Sequence, residues 1–230
     1  MDVIMLPGYW LRGTSWDEVE PIIATAGHVP HPLTLPGLDP DAKVADTSLQ
    51  TQIDAVVAAI DGFAKPVVLV AHSGASVAAN GAVDARPDKV SRVVYVDTLP
   101  MPERGVSESE YPADGDAVPL PDFGLFDERE LKDLTPEQFE RFRSLAAPEP
   151  LGVVTAPIEL HDARRHEVPI TMICTSMPSS VAKGFIEQHH PWVSELEQFR
   201  EISWVDIDTG HWPQFTRPRE LGDAIVAALA

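Results

Sequence analysis

Ser73 stands where a run of apolar, β-forming residues gives way to small residues that are compatible with a helix. The stretch from 68 to 81 reads VLVAHSGASVAANG, which places Ala71 two positions before the serine and Ala75 two positions after it. A serine on a sharp turn between a strand and a helix has an exposed hydroxyl, and the close crossing of the two elements requires small residues at those positions. The stretch therefore predicts a nucleophilic serine, although a serine that only caps the helix would give a similar pattern.

His211 is the candidate for the base that a serine nucleophile needs. It lies in IDTGHWP, directly after the last apolar run, and therefore at the predicted edge of the sheet where Ser73 also lies. The alternative is a loop histidine that makes a local hydrogen bond. None of the eight histidines shows metal-ligand spacing, so the sequence predicts no metal site.

Two backbone amides are candidates for an oxyanion hole, which would bind the negative charge that develops on a substrate carbonyl. Gly74 follows the serine, and Tyr9 follows Gly8 in LPGYW, directly after the first predicted strand. Gly8 allows a tight turn that directs the Tyr9 N–H toward the substrate, beside the N–H of Gly74. An ordinary Pro-Gly turn is the alternative for this stretch.

Short apolar runs predict the strands that would position these residues. The runs are rich in Val and Ile, as in strands that are buried on both faces of a parallel sheet. The predicted strands are 3–6, 67–71, 90–96, 169–175 and 202–207, with a weaker run at 31–35. The predicted helices are 15–27, 47–63, 75–85, 179–190 and 219–230. This alternation predicts an α/β fold, with a doubly wound, mostly parallel sheet of about six strands and helices on both faces.

Residues 101–166 interrupt the alternation and are rich in Pro, Asp and Glu. One helix is predicted there, TPEQFERFRSLAA at 135–147, with Thr135 and Gln138 as its capping box. We predict that 101–166 is a lid inserted on the ligand side of the sheet, within a single domain that spans 1–230.

The composition excludes several classes of function. The chain has 17 basic and 36 acidic residues and a formal net charge of -19, so it would repel nucleic acid, which is not a predicted partner. The single cysteine, Cys174, cannot form an internal disulfide, and MDVIMLPGYW lacks the basic residues and the long apolar run of a signal peptide. Since no apolar run reaches membrane-spanning length, we predict a cytoplasmic protein without a membrane partner.

The arrangement resembles the α/β-hydrolase superfamily over nearly the whole chain. Its features follow in the order LPGYW, AGHVPHPLTLPGLD, the serine turn AHSGA, the inserted segment and DTGHWP. AHSGA departs from the usual Gly-x-Ser-x-Gly at both glycines but keeps small residues there. In layout the chain is similar to the small plant-type branch of methyl-ester hydrolases, hydroxynitrile lyases and related ester or lactone hydrolases. The resemblance implies a sheet without the first antiparallel hairpin of larger members, and a serine hydrolase that needs no cofactor.

The acid of a catalytic triad is where the sequence departs from the family pattern. Family members usually carry it in the loop after the penultimate strand, yet ICTSMPSSVAKG contains no carboxylate. Another position used in the family is the end of the strand after the elbow helix, where VVYVDTLP places Asp97. We predict that Asp97 orients His211, with Asp206, Asp208 and Glu187 as rivals. Asp97 could instead cap the start of the lid.

The resemblance also bears on the type of reaction. In the hydroxynitrile lyases of this branch a lysine follows the catalytic histidine and a threonine lies in the oxyanion loop, where this chain has Trp212 and Gly8. Hydrolysis through an acyl-enzyme on Ser73 is therefore the predicted chemistry. Two alternatives remain open: a lyase that uses His211 as a general base on the same site, and a ligand-binding protein without turnover.

Aromatic residues beside the predicted catalytic groups suggest a small substrate with a hydrophobic or aromatic acyl or alcohol group. The predicted substrate-binding residues are Trp10, His72, Trp212 and Phe215. Four phenylalanines of the lid could add apolar walls, although core packing is the favoured interpretation for them. They are Phe123, Phe126, Phe139 and Phe142. The partner that we predict is a small-molecule ester or lactone, bound by a monomer or a homodimer.

Overall fold

Parallel strands form the main sheet of the computed structural model, which describes residues 1–103 and 105–229. They are β1 Asp2–Leu6, β2 Val29–Pro32, β3 Val67–His72, β4 Val90–Val96, β7 Ile170–Cys174 and β8 Ile202–Asp206. A separate antiparallel pair consists of β5 Ala117–Val118 and β6 Glu149–Pro150. Within the described residues the main sheet has six strands in the order β2-β1-β3-β4-β7-β8, all paired in parallel. The predicted doubly wound sheet is confirmed.

Helices follow most of the strands, and several begin where the sequence indicates a cap. They are α1 Glu20–Thr25, α2 Leu49–Asp61, α3 Ala75–Ala85, α4 Pro136–Leu145, α5 Leu151–Val154, α6 Ser179–Glu187, α7 Pro213–Thr216 and α8 Pro218–Ala228. Short 3₁₀ helices lie at Gly13–Trp16, Val44–Asp46, Pro87–Lys89, Phe123–Leu125, Ala163–Glu167, Pro191–Val193 and Leu196–Gln198. The predicted capping box of Thr135 and Gln138 is present at the start of α4. No helix of the described chain combines the length and the apolar composition needed to cross a membrane.

Both faces of the inner strands β1, β3, β4 and β7 are largely buried, which explains why these strands read as continuous apolar runs. Successive residues of a strand point to opposite faces. Thus Leu69 belongs to the core that α2 and α3 cover, whereas Val68 and Val70 belong to the core that α1 and α8 cover. Helices therefore cover both faces of the sheet, as predicted.

Most predicted elements begin and end within about three residues of the observed ones, and the first helix differs most. The helix predicted over 15–27 begins only at Glu20, because Pro21 is tolerated in the first turn of a helix but not in its interior. The weak strand predicted at 31–35 is β2, which begins and ends earlier. Arg104 of the predicted lid and Ala230 of the predicted last helix lie outside the described residues.

Residues 101–166 pack on the loops that follow β1 and β8. The contact is a buried aromatic cluster that contains residues of all three segments. Its buried members are Trp10, Leu11, Phe123, Phe126, Phe142, Trp212 and Phe215. The phenylalanines of this segment therefore pack in a core, as favoured, and a role of the segment as a lid stays a prediction.

Candidate active site

Ser73 occupies the turn between β3 and α3 that the sequence predicts. Its φ is 52°, in the left-handed region that a residue with a side chain adopts only at a cost of about 1–3 kcal/mol. A hydrogen bond of 3.2 Å from the Ser73 N–H to the Val96 carbonyl holds the turn against β4. Ala71 and Ala75 are buried where strand and helix meet, so the close crossing predicted from these small residues is present.

His211 lies against the Ser73 hydroxyl, with its Nε2 2.8 Å from Ser73 Oγ. The main chain of His211 is held on both sides. Its N–H donates to the Glu130 carbonyl at 2.8 Å, and its carbonyl accepts a hydrogen bond of 2.7 Å from His72 Nε2. The imidazole is therefore positioned by segment 101–166 on one side and by the serine turn on the other.

Asp97 is the carboxylate that the structure brings to His211. Its Oδ2 is 2.7 Å from His211 Nδ1, and its side chain is only 2% exposed. Burial alone would raise the pKa of Asp97, but hydrogen bonds from His211, Ser176 and Thr175 and the charge of His211 outweigh burial and lower the pKa to about 2. The ionised carboxylate accepts a hydrogen bond from Nδ1–H, which leaves Nε2 to accept the serine proton.

The rival carboxylates have other partners. Asp206 accepts hydrogen bonds of 2.6 Å from both the N–H and the hydroxyl of Ser179, at the start of α6. Asp208 is exposed and pairs with Lys132. Glu187 is exposed at the end of α6. The hydrogen bonds of the described chain thus favour Asp97 as the partner of His211.

The loop after β1 approaches the serine turn closely. A Cβ atom on Gly8 would lie 2.6 Å from His72 Nδ1 and 2.9 Å from Ser73 Cβ, so this position requires glycine. The approach brings Tyr9 to the serine, and the Tyr9 ring packs against Gly74. The residues predicted for the oxyanion hole therefore lie together beside Ser73, and their role as donors stays a prediction.

A cavity of about 340 Å³ opens over Ser73 and His211, and its lining is partly apolar and partly acidic. The apolar and aromatic lining residues are Tyr9, Val77, Met101, Tyr111 and Val154, and the acidic ones besides Asp97 are Glu108, Glu110 and Glu130. Burial, together with the charges of Glu130 and Glu110, raises the pKa of Tyr111 to about 12, so its phenol is neutral. Across residues 1–103 and 105–229, no three His, Cys, Asp or Glu side chains are arranged to hold a metal ion.

The four residues predicted to bind substrate lie outside the cavity over Ser73 and His211. Trp10, His72, Trp212 and Phe215 are buried, and none of them lines this cavity. The prediction relied on their closeness in sequence to catalytic groups, but neighbours on a loop point in different directions. Trp212 follows His211, yet its ring packs on Phe142, with the ring centroids 5.0 Å apart. Trp10, Trp212 and Phe215 therefore belong to the aromatic cluster and do not line the cavity.

His72, the fourth, lies behind the serine turn. Its Nε2 donates to the His211 carbonyl, and its Nδ1 faces the side-chain amide of Gln214 at 3.4 Å. Burial, together with the neighbouring His211, lowers the pKa of His72 to about 3. His72 is therefore neutral, and it supports the main chain of His211 instead of contacting a substrate.

Two supports of the site were missed by the sequence analysis. The loop after β7, which lacks the expected acid, supplies the Thr175 N–H at 2.8 Å and the Ser176 hydroxyl as donors to Asp97. The Ser176 hydroxyl was a readable signal, because a buried carboxylate needs such donors, whereas the main-chain N–H of Thr175 was not. The contact of Glu130 with His211 had no signal, since a main-chain carbonyl is the same in every residue type.

Gly210→Ala is expected to destabilise the fold and displace His211. A Cβ atom there would overlap the main-chain carbonyl oxygens of Glu130 and Lys132, which cannot move aside independently. We expect a loss of about 1–3 kcal/mol in the free energy of unfolding, measured by urea denaturation. The control is Gly184→Ala in α6, where the Cβ atom has open space and a gain of about 0.5–1 kcal/mol is expected. Equal unfolding midpoints for Gly210→Ala and the wild type would contradict this expectation.

Comparison with known sequences gives a match to one family model, described as the alpha/beta hydrolase family, over residues 3–224. No curated protein matches the chain.

Solved structures share the fold over almost the full length. An extracellular alpha/beta-hydrolase from a Paenibacillus species, described as sharing structural and functional homology with tobacco salicylic acid binding protein 2, is 19% identical with a TM-score of 0.78, over 99% of this chain and 98% of that chain. A methylesterase from Arabidopsis is 16% identical with a TM-score of 0.74, over 100% and 98%. A pyrethroid hydrolase from Sphingobium faniae is 18% identical with a TM-score of 0.69, over 99% and 96%. At these identities the similarity is one of fold.

Proposed function

Because the chain belongs to the alpha/beta hydrolase family, we propose that it is a serine hydrolase that cleaves a small carboxylic ester or lactone. The observation that carries the proposal is the hydrogen-bonded series from Ser73 through His211 to Asp97, with distances of 2.8 and 2.7 Å. A serine, an imidazole and a buried carboxylate in this order are the parts that acyl transfer requires.

The first half of the proposed reaction acylates the serine. Ser73 Oγ attacks the carbonyl carbon while His211 Nε2 takes the hydroxyl proton, and Asp97 stabilises the imidazolium that forms. The N–H groups of Tyr9 and Gly74 bind the negative oxygen. When the bond between the carbonyl carbon and the alcohol oxygen breaks, His211 gives its proton to the leaving alkoxide. The acyl group then remains on Ser73.

The second half releases the acid. Water enters the cavity and gives a proton to His211 while its oxygen attacks the acyl carbon. The bond to Ser73 Oγ breaks, and His211 returns the proton to the serine. In a lactone the alcohol stays attached to the acyl chain, so the product is a single hydroxy acid.

The cavity supports a small substrate that is partly apolar and carries no negative charge. A volume of about 340 Å³ suits a compact ester, and Tyr111, Val77 and Met101 provide apolar surface. Glu108 and Glu110 would repel an anion, and the described lining contains no lysine or arginine. This lining supports the hydrophobic substrate expected from the sequence, with different residues as its contacts.

An anionic ester is expected to have a KM at least about tenfold above that of a neutral ester of similar length, because its charge lies near several carboxylates. The matched pair is mono-4-nitrophenyl succinate and 4-nitrophenyl pentanoate, measured by steady-state kinetics at low salt. The ratio of the KM for the succinate to the KM for the pentanoate should fall in Glu108→Gln and also when salt is added. An equal or lower KM for the succinate would contradict the expectation.

The proposal as a whole is tested with a fluorophosphonate and a panel of 4-nitrophenyl esters, aryl esters and lactones. We expect turnover of at least one ester and phosphonylation of the peptide that contains Ser73, located by mass spectrometry. Product analysis in ¹⁸O-labelled water separates the alternatives, since hydrolysis places the label in the acid and a lyase reaction does not. If the protein shows neither turnover nor labelling, the proposal is overturned and a ligand-binding protein is favoured.

A further inference from the structure

Glu149 is a buried carboxylate that the proposed mechanism does not use. It lies in β6, within segment 101–166, and is only 1% exposed. Its Oε2 accepts a hydrogen bond of 3.2 Å from the Trp10 N–H, and its Oε1 accepts one of 3.3 Å from the side-chain amide of Gln52. The two oxygens of one carboxylate therefore connect the loop after β1 with α2.

Trp10 is held in an unusual conformation by segment 101–166. Its φ is 66°, a left-handed value that a residue other than glycine keeps only where its surroundings impose it. Its N–H donates to Glu149, and its carbonyl accepts a hydrogen bond of 2.8 Å from the Ala147 N–H. Its indole N–H donates to the Val118 carbonyl at 3.0 Å. Each polar group of Trp10 thus has a partner close to the β5–β6 pair.

We propose that Glu149 is a positioning residue for the oxyanion hole: its bond to the Trp10 N–H fixes the main chain that presents the Tyr9 N–H to the substrate. The two N–H groups belong to adjacent planar peptide units that meet at the Tyr9 Cα, so once one unit is fixed only the φ and ψ angles of Tyr9 set the direction of the other. A fixed direction matters because an oxyanion donor acts only within hydrogen-bond distance of the reacting oxygen. The inference rests on the proposed function, since the Tyr9 N–H has this role only when a carbonyl is bound.

Stability alone does not explain a carboxylate at position 149. Burial raises the pKa of Glu149 to about 7, against the lowering effect of the hydrogen bonds from Trp10 and Gln52. Above that pH the buried group is charged, and a neutral side chain of similar length would be buried at lower cost. An ionised carboxylate is, however, a stronger acceptor for a backbone N–H than an amide oxygen. The positioning role therefore accounts for the residue type.

The test compares Glu149→Met with Glu149→Gln in the full chain, using the most reactive ester of the panel. Methionine matches the length of glutamate and removes the acceptor, whereas glutamine keeps an oxygen for the Trp10 N–H. For Glu149→Met we expect kcat to fall about 10²-fold with KM changed less than about threefold, because an oxyanion donor is misplaced. Glu149→Gln should lower kcat by only about three- to tenfold. Its amide nitrogen would face the amide nitrogen of Gln52, donor against donor, so we expect its unfolding temperature to fall about as much as that of Gln52→Leu.

The matched control is Gln52→Leu, which removes the other partner of Glu149 and leaves an acceptor for the Trp10 N–H. Because the Gln52 hydrogen bond lowers the pKa of Glu149, all variants are assayed well above pH 7, where the carboxylate stays ionised. Gln52 also donates to the Pro36 carbonyl, so this variant is expected to lower the unfolding temperature while kcat stays within about threefold. A wild-type kcat in Glu149→Met would overturn the inference. A second result would also overturn it: losses of kcat that follow the drop in unfolding temperature across all three variants, which indicate a merely structural role.

Crystal structures separate this inference from the proposed function. If the wild-type protein hydrolyses no ester and is not phosphonylated, the proposed function is overturned, independently of the results for the Glu149 variants. Independently of activity, the inference requires Trp10 to leave the left-handed region in Glu149→Met, and an unchanged main chain at Tyr9 and Trp10 overturns it. Where Glu149→Met does not fold, Glu149→Gln decides. A kcat that is lowered about three- to tenfold at unchanged KM, while Gln52→Leu of similar unfolding temperature keeps its kcat within about threefold, supports the inference. A wild-type kcat in Glu149→Gln overturns it.

Discussion

Replacing Ser73 by alanine is expected to lower kcat/KM for the best ester by at least about 10⁴-fold, because the variant has no nucleophile at the turn. The lost hydroxyl has His211 Nε2 as its hydrogen-bond partner, at 2.8 Å. Removing one part-buried hydrogen bond of this kind changes the free energy of unfolding by only about 1 kcal/mol. The loss should therefore appear in initial rates measured against a buffer blank, with the thermal unfolding curve nearly unchanged. The Ser73→Ala variant should also no longer be phosphonylated by the fluorophosphonate.

A matched serine variant shows whether this effect is specific. The Ser194 hydroxyl donates to the Pro191 carbonyl, and the residue does not line the cavity. Ser194→Ala should keep both the wild-type rate and the labelling. If Ser73→Ala keeps its rate, another group is responsible for hydrolysis and the assignment of the nucleophile fails.

Asp97→Asn is expected to lower kcat/KM by on the order of 10³- to 10⁴-fold while the fold persists. An asparagine amide would donate a hydrogen bond to His211 Nδ1, which forces the imidazole proton onto Nε2. That nitrogen could then no longer accept the proton of Ser73. The measurement is kcat/KM at pH 7 to 8, combined with a crystal structure that shows whether the side chains keep their positions.

The rival carboxylates provide the controls for Asp97. Asp208→Asn should leave kcat/KM within about threefold, because this exposed side chain pairs with Lys132. Asp206→Asn should lower stability through its contact with Ser179 and leave most of the activity. Full activity in Asp97→Asn, together with a large loss in one of the controls, would assign the acid of the triad to that control residue instead.

Local patterns in the sequence were sufficient to place the serine turn. The small residues Ala71 and Ala75 reflect the close crossing of β3 and α3, which depends only on residues next to Ser73 in the chain. The parallel sheet was readable for a similar reason, because burial on both faces leaves a continuous apolar run in each strand. Caps such as Thr135 with Gln138 are also local, and they are present as predicted.

Local patterns failed where the direction of a side chain mattered. Trp10 and Trp212 flank the predicted catalytic groups, and their types suited an apolar pocket. Their rings are buried in the aromatic cluster instead, since large rings contribute most where they are fully removed from water. The cavity lining includes Glu108 and Tyr111, from a segment whose path has no regular pattern in the sequence.

The sequence by itself determined the strands of the main sheet, the serine at a strained turn, and a histidine after the last strand at the same edge of the sheet. The antiparallel pair β5–β6 was not predicted. The tertiary structure decided which carboxylate meets that histidine: Asp97 and His211 are 114 positions apart and are 2.7 Å apart in space. It also decided that Glu149 anchors Trp10 across 139 positions. Such contacts depend on strand order and on how segment 101–166 packs, and these follow from burial summed over the whole chain and not from the residues beside the site.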